Sequence, residues 1–541
     1  MPLAPATRPA FRRSAVIVLA LVALVAVVYG QVGRFGFVNF DDGRYVYQNP
    51  HVRAGLTWDG VRWAFTALDA SNWHPLTWLS HMLDVQLFGV EPGRHHLVNV
   101  LLHAVDTVLL FVLLQTATCR PGRSAVVAAL FAAHPLHVES VAWIAERKDV
   151  LSTAFGLLAI LAYVRWTRRR STGGYLLIAA AFVSSLLSKP MLVTLPLLLL
   201  LLDVWPLRRL SLQSTSTAAV GPLVNEKVPL LAISIAASVV TYMAQAGGGA
   251  VSSTAALPVG TRVENALISY VRYLAMMIWP AGLAVGYPHP GWSPDGIVGW
   301  KVAAAASLLA VVTAAVVVQA GRRPYLLVGW LWYLVTLAPV IGVVQIGLQG
   351  LADRYTYVPL VGIFLALTWT VADLAGSSRG ARYALGGAAI LSIAISGALA
   401  RRQASFWRDS VTLFQHAVDV EPDDALAWRN LGVAYHDLKQ DQRAVAALKQ
   451  SVRLMPYDVH AWTDLAVAFS AVGQPADAAE CFGKALEMNP DDPYLLYDVA
   501  LSYAAQGQWA RVEEARERLR RIRPELAEQL AVRLRPPGGA R

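Results

Sequence analysis

Charged side chains are scarce in this sequence. Asp, Glu, Lys and Arg together make up 15% of its 541 residues, against 56% hydrophobic. Soluble domains carry about 25% charged residues, so most of the length must face lipid or lie inside a helical bundle. Cysteine is almost missing as well: Cys119 and Cys481 are the two present, which excludes a disulfide framework. Both read as packing residues. Acidic residues are outnumbered, 36 to 46, for a net charge of +10. A nucleic-acid partner does not follow, because the Arg residues fall in short clusters between apolar runs, the pattern that orients a membrane protein.

Apolar runs long enough to span a bilayer fall at roughly 15–30, 97–116, 124–142, 150–166, 175–188, 191–205, 228–246, 300–319, 324–342, 356–375 and 383–400. The first follows Arg8, Arg12 and Arg13 without a small-x-small cleavage site, so it reads as an uncleaved signal anchor. Arg120/Arg123, Arg165 with Arg168–Arg170, and Arg208-Arg209 lie in short loops that all fall inside if the N-terminus is inside. Val263–Pro280 carries Glu264 and Arg272. If it crossed, Arg322-Arg323 and Arg379/Arg382 would both lie outside. The expectation is therefore an interfacial helix there, eleven spans, and an outer C-terminus. The long first loop, 31–96, then faces outward.

From residue 401 the composition becomes soluble and repeats at a spacing of 34. Trp428 aligns with Trp462, Leu431 with Leu465 and Val499, and Tyr435 with Phe469 and Tyr503. Pro422, Pro456, Pro490 and Pro524 mark the repeat ends. This resembles the tetratricopeptide repeat, helix pairs that stack to bury one continuous core. The reading is a half repeat at 406–422 and repeats at 424–457, 458–491 and 492–525. The fold class expected is thus all-α: a polytopic bundle over 1–400 and an α-solenoid over 401–541. The solenoid would offer a protein-binding groove.

The polar residues of the membrane half gather on the deduced outer face. Asp41-Asp42 opens the first loop, either as a solvated turn or as a catalytic carboxylate pair. The same loop carries Trp73-His74-Pro75 and His95-His96. A second block, His134-Pro-Leu-His-Val-Glu-Ser-Val-Ala-Trp-Ile-Ala-Glu-Arg-Lys-Asp149, ends one span and begins the next. Ionisable groups at that depth line a cavity or pair with one another. Glu146, Arg147, Lys148 and Asp149 form either an interfacial salt-bridge cluster or an anion site where Arg147 or Lys148 holds a headgroup. Glu139 or His137 would then face the reaction cavity. Lys189 either snorkels or meets a lipid phosphate, and Asp353-Arg354 repeats the theme. His134 and His137 are three apart, but neither they nor His81, His95, His96 and His103 form a recognisable ligand pattern, so no metal is indicated.

Several of these blocks together carry a resemblance. Phe40-Asp41-Asp42, Asn72-Trp73-His74-Pro75-Leu76-Thr77, His95-His96-Leu97-Val98-Asn99, His134 to Trp143, Glu146-Arg147-Lys148-Asp149, Ser188-Lys189-Pro190 and Ala352-Asp353-Arg354-Tyr355 resemble the GT-C membrane glycosyltransferases. They are most similar to the transmembrane and tetratricopeptide-repeat O-mannosyltransferase family and its bacterial relatives. The resemblance implies inverting transfer of a sugar, such as mannose, from a polyprenyl-phosphate donor to a protein Ser/Thr hydroxyl on the non-cytoplasmic face. It implies a base at Asp41 or Asp42, with Glu139 as a further catalytic candidate. Substrate and phosphate contacts are expected from His74, His95, His96, His137, Arg147, Lys148, Lys189 and Arg354. The expected partners are the bilayer, the lipid-linked sugar and an acceptor protein engaged by the repeats. The composition suggests a bacterial plasma membrane, with the repeats outside. The repeat tail is shorter than in animal members of the family. Glycosylation of a lipid or cell-wall glycan, or a non-catalytic scaffold displaying the repeats, are the alternatives.

Overall fold

The computed structural model describes residues 8–211, 217–292 and 296–534. Residues 1–7 and 535–541, at the two ends of the expected domains, lie outside the described residues, as do 212–216 and 293–295. Among the described residues the protein is all-α, with two isolated β-bridges, Val251–Ile346 and Pro288–Gln349. The chain divides into two compact units, Met1–Asp409 and Ser410–Arg541. The helix Arg379–Ser405 runs through residue 400, which carries the first unit on to Asp409.

In the first unit, proline sets where helices begin. Pro50, Pro75, Pro92, Pro121, Pro324 and Pro359 each open one, because the first helical position needs no N–H and its φ suits proline. Among the described residues, six helices are long and apolar enough to cross a membrane: Arg12–Arg34, Pro92–Thr118, Ile144–Trp166, Val228–Gly247, Gly299–Gln319 and Arg379–Arg408. A seventh is the pair Pro121–Ala133 and Pro135–Ala142, bent by 58°. The other four expected spans form shorter apolar helices, Thr172–Ser188, Pro190–Val204, Pro324–Val340 and Pro359–Leu374. Length and composition thus account for six or seven crossings. The bend falls at His134, whose extended backbone at Pro135 interrupts the helix. Val259–Ile278 is helical with Arg262, Asn265 and Ser269 buried on one side.

One expectation about cysteine needs correcting. Cys481 is buried, but Cys119 is exposed and takes the left-handed conformation that ends the Pro92–Thr118 helix. It is a helix terminator and not a packing residue.

The second unit is three helix pairs: Ala425–Asp437 with Asp441–Leu454, Val459–Ala471 with Pro475–Met488, and Pro493–Ala505 with Trp509–Ile522. Ser410–Val420 precedes them and Pro524–Arg533 follows. The 34-residue period has a local cause. Asp424, Asp458 and Asp492 each cap the first helix of a pair through side-chain bonds to backbone N–H groups. Trp428 and Trp462 each donate their indole N–H to the carbonyl of the preceding repeat-end proline, Pro422 and Pro456, at 2.8 Å. Gly473 and Gly507 turn each pair at φ 77° and 70°, and Lys439 takes the same conformation, φ 60°, in the first.

Candidate functional site

The two aspartates of the first loop have different fates. Asp42 is fully buried: Oδ2 accepts from the Val38 N–H at 3.0 Å and Oδ1 from the Ala145 N–H at 3.1 Å. It ties the loop to the turn at 143–146. Burial pushes its carboxyl up to about 8, against the opposing pull of those two N–H groups and of Lys148. Asp41 is exposed, with φ 63°, a strained backbone for a residue with a Cβ and one that Asp tolerates better than most. A π-type turn, Gly43–Tyr47, follows, a device common at functional sites. It seats Tyr45 against His74 and Trp78, with ring centroids 5.5 and 4.7 Å away.

Three cationic turns converge on one carboxylate. Glu146 receives Lys148 Nζ at 3.0 Å, Lys189 Nζ at 3.0 Å and Arg354 Nε at 3.4 Å. Lys189 also meets Asp149 at 2.7 Å, and Arg354 pairs with Glu139 through its guanidinium and its backbone N–H. Burial works against the Lys189 ammonium, but Asp149 and Glu146 outweigh it and hold its pKa above the ordinary lysine value. The Arg354 guanidinium is likewise opposed by burial and held up chiefly by Glu139. Lys148 lies over the rings of Tyr45 and Trp143, at 4.7 and 5.4 Å, and Arg354 over Trp143 at 5.5 Å. Phe40 stacks on Trp143 at 4.6 Å, and the Trp143 indole donates to the Phe40 carbonyl at 2.8 Å. So Lys148, Lys189, Arg354, Glu139 and Glu146 stand in one cluster, joined by Trp143 to the residue before Asp41.

Other sequence candidates stand apart from it. Arg147 points the opposite way and is fully buried, spending its guanidinium on Asn99, Ser80 Oγ, Asp84 Oδ2 and the His95 carbonyl. His96 bonds the Gly36 carbonyl at 3.1 Å, and His137 the Phe131 carbonyl at 2.8 Å among Phe131, Tyr357 and Phe364. His95 bonds the Gly89 carbonyl at 3.3 Å. His74 is buried beneath Tyr45, and burial, then Lys148, drives its pKa well below the ordinary histidine value.

The sequence reading missed the aromatic floor of Tyr45 and Trp143 and the role of Asp149 as the second carboxylate on Lys189. Trp143 lay in the quoted block, but only the fold reveals what stacks on it. Two cavities open along Val259–Ile278. One, of about 200 Å³, has Asn265, Arg272 and Lys301 on its wall. The other, about 320 Å³, is an apolar groove between Ile268, Val271, Ala275, Trp300, Ala304 and Leu308, with Arg272 and Lys301 also lining it. Arg272 stands over the Tyr287 ring at 4.9 Å, and Tyr287 donates to Asp353 at 3.0 Å, next to Arg354.

The description "Tetratricopeptide repeat" matches residues 396–459 and 463–527. Among curated proteins, Protein O-mannosyl-transferase Tmtc1 of Drosophila melanogaster is 36% identical over 191 residues, 34% of this chain and 22% of that protein. Protein O-mannosyl-transferase TMTC1 of Mus musculus is 37% identical over 178 residues, 30% of this chain and 18% of that protein. Protein O-mannosyl-transferase Tmtc2 of Drosophila melanogaster is 35% identical over 198 residues, 34% of this chain and 21% of that protein. The chain thus spans about a fifth of the length of the curated relatives it matches. A solved structure titled for MamA protein aligns at 21% identity and a TM-score of 0.23, covering 25% of this chain and 74% of that one, a likeness too low to bear on the fold.

Proposed function

We propose, from homology to the transmembrane and tetratricopeptide-repeat O-mannosyl-transferases, that this chain is a membrane protein glycosyltransferase. It takes mannose or a similar sugar from a polyprenyl-phosphate donor and places it on a Ser or Thr hydroxyl of a protein, with inversion, at the non-cytoplasmic face of the membrane. The observation that carries the reading is the convergence of Lys148, Lys189 and Arg354 on Glu146, beside the loop that presents Asp41.

Asp41 is the base. A serine hydroxyl is a weak nucleophile until its proton is taken in the transition state, and Asp41 is the carboxylate of the pair exposed to an incoming acceptor. Asp42 has spent both oxygens on backbone and holds the loop. As the hydroxyl oxygen bonds to the anomeric carbon, the bond to the phosphate oxygen breaks and polyprenyl phosphate departs with the negative charge. Lys148 and Lys189 each have three N–H donors. Lys148 spends its three on Glu146, the Ala145 carbonyl and Tyr45, whereas Lys189 uses two, on Glu146 and Asp149. The remaining Lys189 donor, with Arg354 and the positive charge of Lys148, receives the leaving phosphate. The apolar groove along Val259–Ile278 suits the lipid tail, its Arg272 joined through Tyr287 and Asp353 to Arg354. The repeats engage the acceptor protein, and all eleven apolar segments cross the membrane with the N-terminus inside.

The test is transfer from polyprenyl-phosphate-mannose by the full chain reconstituted in vesicles. Asp41→Asn is expected to lower turnover by about 10²- to 10⁴-fold at unchanged thermal stability. Wild-type turnover in that variant would refute the base assignment. A wild-type protein that consumes no polyprenyl-phosphate sugar would refute the enzyme itself.

A further inference from the structure

Behind the loop, a second polar cluster takes no part in the chemistry above. His81 and Asp84 are three residues apart on the helix Pro75–Phe88, the spacing that puts two side chains on one face. His95 comes from the start of the next helix, Pro92–Thr118. One ligand atom from each of the three lies within 4.8 Å of the other two, and the residues are 0%, 3% and 0% exposed.

Two observations point to a cation. Both ring nitrogens of the buried His81 are without a hydrogen-bond partner among the described residues. Buried polar atoms are nearly always satisfied, so a partnerless imidazole with one nitrogen in a cluster with Asp84 and His95 calls for a further partner there. Second, His95 Nε2 sits 3.3 Å from the Gly89 carbonyl, which can only accept, so Nε2 carries the N–H. In the neutral ring Nδ1 then turns a lone pair toward Asp84 Oδ2, 3.3 Å away. A lone pair and a carboxylate oxygen repel unless positive charge stands between them. An imidazole whose far N–H is held by a backbone carbonyl is the arrangement that metal-ligating histidines adopt.

We propose that His81, Asp84 and His95 bind one divalent transition-metal ion of the zinc class. Two imidazoles and one carboxylate suit zinc, manganese or ferrous iron, whereas calcium and magnesium favour oxygen ligands. The ion is a brace: it clamps the helix Pro75–Phe88 to Pro92–Thr118. Asp84 also takes Arg147 Nη2 at 2.7 Å, and Arg147 opens the helix whose first turn carries Lys148. The metal therefore holds the rear of the charge cluster without touching substrate.

The full chain, purified in detergent without chelator, is expected to carry about one equivalent of zinc-class metal per chain. His81→Gln and His95→Gln should lose it, and His460→Gln, in the repeats, should keep it. Cobalt(II) titrated into the stripped wild-type protein should give visible d–d bands, and X-ray absorption of the loaded protein should report imidazole scattering. These two readouts need no variant to fold. A wild-type protein that takes up neither zinc nor cobalt would overturn the site, leaving His95 in contact with Asp84 alone. Metal bound with no imidazole in its coordination sphere would overturn it equally.

Discussion

Asp41 and Asp42 are adjacent, and the same composition rule covers both, yet one is exposed on a left-handed backbone and the other fully buried. The sequence marks the pair as a candidate but cannot divide the roles, because the division comes from Ala145, over a hundred residues away, whose N–H claims Asp42. That burial has a pH signature. The Asp42 carboxyl sits at about 8 in the fold against an ordinary 3.8, so the folded state holds a proton that the unfolded chain has released. Its contribution to stability is complete below about 3.8 and is lost as pH rises through about 8. The thermal midpoint of the wild-type protein should therefore fall between those limits. Asp42→Asn, which cannot ionise, should show a flatter profile and gain on the wild type as pH rises. Parallel melting curves in detergent across that range decide it; profiles with the same slope would count against a buried, proton-binding Asp42.

Between residues and the whole lie the turns and crossings. Three sequence-distant hairpins, at Glu146, Lys189 and Arg354, were legible as charged turns because lipid tolerates few ions. That they meet on a single carboxylate was not, since contact across 43 or more residues leaves no periodic trace. Helix starts were better marked, by proline, and so was the solenoid, by its repeating Pro and Trp. One close helix crossing is also written in small residues. A Cβ on Gly329 would stand 2.4 Å from the Gly362 carbonyl oxygen, and one on Gly362 would stand 2.3 Å from that of Gly329. The helices Pro324–Leu337 and Pro359–Leu374 thus touch backbone to backbone, as small residues allow in membranes. Gly329→Val should force them apart, at a cost of roughly 1–3 kcal/mol or more by the usual penalty of overpacking. A lowered thermal midpoint is the expected result, while Gly386→Val, where a Cβ meets nothing within 4 Å, should leave it unchanged.

At the scale of the whole membrane unit, two charged levels bear on the proposed topology. One holds Glu139, Glu146, Asp149, Lys189 and Arg354. The other holds Arg123 with Asp373 and Tyr325, and Asp203 with Tyr163, Arg209, Glu226 and Lys227, joined by Trp205 packing on Tyr325 and Trp369. The helix Ile144–Trp166 links the levels, and so do the short ones. Thr172–Ser188 runs from Tyr175, bonded to the Glu226 carbonyl, to Ser188, next to Lys189. Its 17 residues rise about 26 Å at 1.5 Å each, close to the ~30 Å hydrocarbon core. Pro190–Val204 returns to Asp203, and Pro359–Leu374 descends from the Arg354 turn to Asp373. Helices that share both ends with a full-length span should cross as it does, which favours eleven crossings over seven. The two counts differ at residue 344: outside with eleven, inside with seven, if the N-terminus is inside. Val344 is 47% exposed, so Val344→Cys should react with an impermeant thiol reagent applied to intact spheroplasts. His460→Cys should react from the same side, and the exposed native Cys119 only after permeabilisation. Labelling of Val344→Cys only after permeabilisation would reduce the count to seven, and the same result for His460→Cys would reduce it to six.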